Sequence, residues 1–147
     1  MTALSLSFCE NMTMDADTKI EFRVESSDGV DVETLWASKL GDNRYKLLNC
    51  PFYAYRVSWG DIIEAIDQDR DGFPLFVRVL QKSGHRLIRI IFDSPTNQSQ
   101  KSEEVLAGLV KMGCSYEGAN TSYICLDIPP EMSLDEVARF LTQHQMQ

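Results

Sequence analysis

No apolar run in this sequence approaches the roughly 20 residues that a helix needs to cross a bilayer, which excludes a membrane-spanning helix. Histidine occurs only twice, at His85 and His144, and the four cysteines, Cys9, Cys50, Cys114 and Cys125, form no C-x-x-C pair. The ligand spacing of a structural zinc site is therefore missing. Cys50, Cys114 and Cys125 lie in apolar or strand-like surroundings and read as small buried hydrophobes. Neither G-x-G-x-x-G after a strand nor G-x-x-x-x-G-K-[ST] is present, so the backbone device that usually cradles a nucleotide phosphate is absent. No nucleophile, base and orienting acid recur at a recognisable spacing, and no carboxylate pair suggests a glycosidase. Enzyme activity has no support at this level, and no cofactor or metal is expected.

Basic residues are also scarce. Fourteen Lys and Arg stand against 22 Asp and Glu, giving a net charge of −8 and a pI near 4.7. Phosphate-rich partners require clustered cations, so nucleic acid and anionic membranes are excluded as main partners. A basic protein partner is compatible, as is an acidic surface that serves solubility alone. The distribution is uneven: residues 1–36 hold eight acids and two bases, whereas residues 78–92 hold Arg78, Lys82, Arg86 and Arg89 with no acid. The start Met1-Thr2-Ala3-Leu4-Ser5-Leu6-Ser7-Phe8 lacks the basic segment and uninterrupted apolar stretch of a secretory signal, which predicts a cytoplasmic location.

What is present is ordinary globular material, 44% hydrophobic and 24% charged, with length for one folded domain. Residues 1–16 are polar and aperiodic and predict a flexible N-terminal tail; residues 17–147 predict a single compact α+β domain. Ile20, Phe22 and Val24 alternate with charged residues as in a half-buried strand that ends at Ser26-Ser27-Asp28-Gly29. Leu35–Leu40 and Tyr45–Asn49 flank the turn Gly41-Asp42-Asn43-Arg44 and predict a hairpin. Ile62–Ile66 reads as a further strand, with a short helix as competitor because the isoleucines also suit helical spacing. Short strands at this spacing predict a small, twisted, barrel-like antiparallel sheet over 17–82. Leu75–Lys82 and Arg86–Asp93 read as a long hairpin turning at Ser83-Gly84-His85, shared between the two halves. A helix over 99–112 buries Val105, Leu106, Leu109 and Val110 and stops at Gly113; two strands follow, and Ser133-x-x-Glu136 opens a last helix burying Leu134, Val137, Phe140 and Leu141. Residues 83–147 thus predict a ferredoxin-like βαββα half.

The order Leu35-Trp36-Ala37, Gly41-Asp42, Asn49-x-Pro51-Phe52-Tyr53, Gly60-Asp61, Ser83-Gly84-His85-Arg86 and Gly113-Cys114-x-Tyr116-Glu117-Gly118 resembles a bacterial family catalogued as domain of unknown function 4265, over about residues 18–143. The resemblance implies a small bacterial cytoplasmic protein and carries no activity with it. Some short proteins of this general kind act as immunity factors beside secreted toxins.

Several residues are candidates for contact. Asp67-x-Asp69-x-Asp71-Gly72 copies the first six positions of a calcium-binding EF-hand loop, but position 12, where a bidentate Glu closes the cage, is Arg78, and position 8 is Pro74. The segment reads as a solvated acidic turn or as an acidic contact for a basic partner. His85 could serve as a general base if a carboxylate oriented it, yet none stands at a recognisable spacing, which favours a turn histidine bonded to its own loop. Glu117 is similarly open. Phe52 and Trp59 read as core, whereas Tyr53 and Tyr55 share one face by period-2 logic and are interface candidates. The first expectation is an acidic binding module, an immunity protein that occludes a basic toxin's active site through Tyr53, Tyr55, Asp67, Asp69, Asp71, His85, Arg86 and Glu117. The alternatives are an enzyme or small-ligand sensor with a cleft near His85 and Glu117, and a structural subunit of a larger assembly.

Overall fold

A computed structural model describes residues 16–145; the tail expected over 1–16 lies almost wholly outside the described residues. The first hairpin pairs β1, Thr18–Ser26, with β2, Gly29–Gly41, from Thr18 opposite Ala37 to Ser26 opposite Gly29. Period-2 alternation sends Ile20 and Phe22 of β1 and Leu35 and Ala37 of β2 to the same buried face. At the next turn Asn43 takes a positive φ of 57°, which asparagine tolerates better than most residues. The chain then returns as β3, Arg44–Leu47, with Tyr45 and Leu47 inward. β4, Ile62–Ile66, alternates half-buried and buried residues and is a strand, not the competing helix. β5, Leu75–Gln81, pairs with β4, and a single parallel pair, Glu21 opposite Leu75, closes a five-stranded barrel in the order β1-β2-β3-β4-β5. The barrel-like sheet is thus present, filled by Ile20, Phe22, Leu35, Leu47, Ile63 and their neighbours.

The long hairpin expected over 75–93 does not form. β5 belongs to the barrel, whereas β6, Arg86–Ile91, pairs only with β8, Tyr123–Ile128, in a separate sheet of order β6-β8-β7, where β7 is Ser115–Gly118. The reason lies in the connection: Ser83 gives its backbone N–H to Asp61 and its hydroxyl to the Trp59 carbonyl, so residues 82–85 are tied to the β3–β4 connection instead of turning back on β5. Gly84, at φ +89°, makes the change of direction.

Two helices cover one face of this sheet. α1, Gln100–Met112, is capped by Ser99, whose side chain accepts from the Ser102 N–H, and ends at left-handed Gly113. α2, Leu134–Gln145, follows Ser133, which accepts from the Glu136 N–H as the capping box requires. Val105, Leu106, Leu109 and Val137 pack on Ile124, Leu126 and Ile128. Val110 and Leu134, expected in these stripes, are instead 49% and 37% exposed, because the buried seam of each helix is narrower than its apolar pattern.

Candidate functional site

β8 is buried on both sides. Its residues Ile124, Leu126 and Ile128 face the helices, so Cys125 and Asp127 point to the opposite face. Strand register places Arg89 and Glu117 beside Cys125, and Leu87 and Ser115 beside Asp127. This second face carries a cysteine, an arginine and two acids, and it is covered by residues 48–61, the connection between β3 and β4.

That connection is held from both sheets. Glu33 on β2 accepts the backbone N–H groups of Phe52, Tyr53 and Ala54 at 2.6, 3.1 and 2.7 Å. Asp61, with no exposed surface, accepts from the Ser58 and Ser83 N–H groups and from Lys82 Nζ at 2.9 Å. From the other sheet, Arg89 Nη2 donates to the Pro51 and Ala54 carbonyls, Tyr123 donates its hydroxyl to the Phe52 carbonyl, and the Cys125 thiol meets the Pro51 carbonyl at 3.3 Å. Three adjacent N–H groups on one carboxylate form a charge-assisted arrangement that fixes the loop without regular secondary structure.

Between this connection, the 82–85 link and β6 opens a groove of about 610 Å³. Arg56, Lys82, Arg86 and Arg89 line it with His85 and Tyr55, while Val57, Leu87 and Leu134 give it an apolar side. Lys82 is neutralised by Asp61. The three arginines meet no carboxylate among the described residues. Arg86 Nη2 donates to the Pro129 and Met132 carbonyls, and the Nε–H groups of Arg86 and Arg89 are buried with no protein acceptor among the described residues. Arg89 also lies under the Tyr55 ring, 4.6 Å from its centroid. Arg56 holds a left-handed φ of 66°, unusual for a long side chain and a cost that surrounding contacts must offset.

At one wall of the groove His85 stands edge-on to Trp59, ring centroids 4.4 Å apart. Its Nδ1 lies 2.9 Å from both carboxylate oxygens of Asp127. This bond places the neutral ring's hydrogen on Nδ1 and leaves Nε2 as a lone-pair acceptor with no protein partner among the described residues. Burial raises Asp127 above the usual carboxylate range, opposed by the bonds from His85 and Ser115. Glu117, beside Cys50 and Asp127, is pushed up to about 7 by burial, against the lowering effect of the Cys50 N–H and the Asn49 side chain. Cys50 is raised by its contact with the Cys125 thiol and then by burial, and Cys114 by burial first. Both are poor nucleophiles, consistent with buried packing cysteines.

The structure sorts the sequence candidates into three places. Tyr53 and Tyr55 are exposed, Tyr55 at 79%, and Tyr55 borders the groove with His85 and Arg86. Asp67, Asp69 and Asp71 sit in an exposed loop elsewhere, fastened to β1 by Gln68 and Arg70, which both bind Glu21; Arg78 pairs with Glu64 across β4 and β5. Glu117, expected at a partner surface, is 6% exposed and bonds the Cys50 N–H instead, because its strand position points it under the 48–61 connection. His85 is not a turn histidine bonded only to its own loop: its N–H does meet Ser83 Oγ, but the ring is oriented by an acid 42 residues away. Sequence reading missed Asp127, whose signal is an acid inside the apolar run Tyr123–Ile128. It also missed Glu33, Arg56 and Asp61, whose roles arise from loop geometry, and found Arg89 only as a member of the basic stretch 78–92.

A family model described as "Domain of unknown function (DUF4265)" matches residues 33–147. Among solved structures, the chain is similar to a hypothetical protein from Neisseria gonorrhoeae at 15% identity, with a TM-score of 0.73 over 88% of this chain and 87% of that one. The likeness establishes a shared mixed α+β fold. No curated protein matches. No helix among the described residues is long and apolar enough to cross a membrane.

Proposed function

Taking as premise that the chain belongs to the DUF4265 family, we propose that it is a binding protein whose groove between barrel and second sheet receives a small anion. The carrying observation is the set Arg56, Arg86 and Arg89 around one groove, without a carboxylate among the described residues to neutralise them, in a chain of net charge −8. Arg86 and Arg89 already donate to backbone carbonyls, but those acceptors are neutral, so the charge of the cluster stays without a counter-charge. The volume lies within the range of small-molecule sites, and the mixture of an apolar wall with few convergent polar groups is typical of them. Within this reading the half over 83–147 is a ferredoxin-like βαββα unit, supported by β8 running antiparallel between β6 and β7, and it carries His85 and Arg89.

Thermal unfolding in the presence of inorganic and organic anions tests the reading, since a ligand that binds only the folded state raises its stability by RT ln(1 + [L]/Kd). Anions are expected to raise the midpoint of the native protein at low ionic strength and to raise that of Arg56→Gln much less. Equal shifts in the two proteins, or none in either, overturn it.

A second reading, an immunity protein occluding a basic toxin, is supported by the exposure of Tyr53 and Tyr55 and of the Asp67, Asp69 and Asp71 loop. Replacing the three aspartates with lysine is expected to abolish salt-sensitive association with such a partner. Unchanged affinity and salt dependence would remove the acidic loop from that reading.

A further inference from the structure

We propose that the anion taken by the groove is a phosphate monoester, and that His85 meets it through Nε2 so that binding draws one proton onto the imidazole. This rests on the anion-binding reading above and names its ligand. The argument begins with charge and geometry. A carboxylate brings one negative charge and two oxygens; one guanidinium fork satisfies it and leaves the charge of two further arginines lining the groove without a counter-charge. A phosphate monoester carries close to two charges near neutral pH and presents three terminal oxygens, which match Arg56, Arg86 and Arg89. The apolar side formed by Val57, Leu87 and Leu134 gives the organic remainder a place out of water. A glycine-rich loop is not needed, because side chains here replace its N–H groups.

His85 adds the proton. His85 lines the same groove and its ring is fixed at Nδ1 by Asp127, so Nε2 is the ring nitrogen left for a ligand. A lone pair aimed at a phosphate oxygen is repulsive, and the contact becomes a hydrogen bond once Nε2 is protonated. The proton comes from solvent, and no covalent bond forms or breaks. The other charged groups around the ring allow this. Asp127 faces it from β8; the charge of Glu131 acts on Asp127, and that of Asp127 on Glu117 of β7. The 48–61 connection contributes Trp59 and Arg56, the link contributes Lys82 already bound to Asp61, and β6 contributes Arg86 and Arg89. The imidazolium would thus lie between one carboxylate and one phosphate, a charge-alternating row.

Calorimetric titration of the full chain at pH 7.5 with phenyl phosphate, and separately with benzoate, in two buffers of different ionisation heat gives both affinity and protons exchanged. Expected is at least tenfold preference for phenyl phosphate, proton uptake on binding, read as a binding heat that differs between the two buffers, and loss of that uptake in His85→Gln. Arg56→Gln, whose side chain meets no carboxylate among the described residues, is expected to lower phosphate affinity at least tenfold with unchanged circular dichroism. Should His85→Gln fail to fold, the imidazole signals of the native protein, followed by NMR during phosphate titration, give the same readout. Benzoate binding as well as phenyl phosphate overturns the ligand class; phosphate binding with no proton uptake, or with uptake intact in His85→Gln, overturns the role of His85. Absence of binding by either anion overturns the anion reading itself.

Discussion

A carboxylic acid that loses its water on folding carries a pH dependence into the whole protein, and Glu117 is such a residue. Burial lifts it from an ordinary 4.5 to about 7, so between those values the folded chain keeps a proton that the unfolded chain has released. The stabilising contribution is complete below pH 4.5 and is lost as pH rises through 7, by up to about 3 kcal/mol. Asp127 adds to it in the same direction. Glu117→Gln is expected to flatten the fall in stability between pH 5 and 8, measured by urea unfolding across that range; an unchanged slope would mean that Glu117 titrates normally. Glu33 presents the opposite case, a carboxylate that organises others. Glu33→Ala leaves three N–H groups of residues 52–54 without their acceptor and is expected to cost about 2 kcal/mol, seen as a lowered urea midpoint together with faster exchange of those three amides.

At the level of elements, the contact between α1 and α2 depends on one small residue. A Cβ built on Gly108 would lie 2.5 Å from Phe140 Cζ, so the helices cross closely there, and Phe140 must turn aside for anything larger. Gly108→Ala is expected to destabilise by roughly 1–3 kcal/mol despite the better helix propensity of alanine; a stabilised variant would show that Phe140 moves freely. The cap at Ser99 is simpler. Ser99→Ala is expected to cost about 1 kcal/mol in thermal or chemical unfolding, since it strands one N–H of the first turn.

For the molecule as a whole, the 48–61 connection is the joint between barrel and second sheet. Asp61 fastens the far end of that connection to the 82–85 link, which is the only stretch of backbone passing directly from β5 to β6. Asp61→Asn keeps the shape, removes the charge that faces Lys82 and, with one carboxylate oxygen replaced by an NH2 donor, loses the acceptor of one of the two backbone N–H groups. It is expected to lower stability by roughly 2–4 kcal/mol, discounted from the upper range for buried pairs because Lys82 is 57% exposed. It should also open the groove, visible as increased amide exchange at Ser58 and Ser83. Exchange confined to the barrel would place the weakness elsewhere.

What the amino-acid order determined by itself is local. Alternation in Ile20-Glu21-Phe22-Arg23-Val24, the turn Gly41-Asp42-Asn43-Arg44, the stop at Gly113 and the capping box opened by Ser133 each follow from periodicity or backbone preference within a few residues. Which strand lies beside which was decided only in three dimensions. Leu75–Gln81 and Arg86–Ile91 carry the marks of a hairpin, but the first closes the barrel against Glu21 and the second pairs with β8, partners far away in the chain that no pattern within either strand encodes. The candidate site is of the same kind. His85 was readable as a histidine in want of an acid, and the acid is Asp127, brought to 2.9 Å by strand register across a separation of 42 residues that no local pattern encodes.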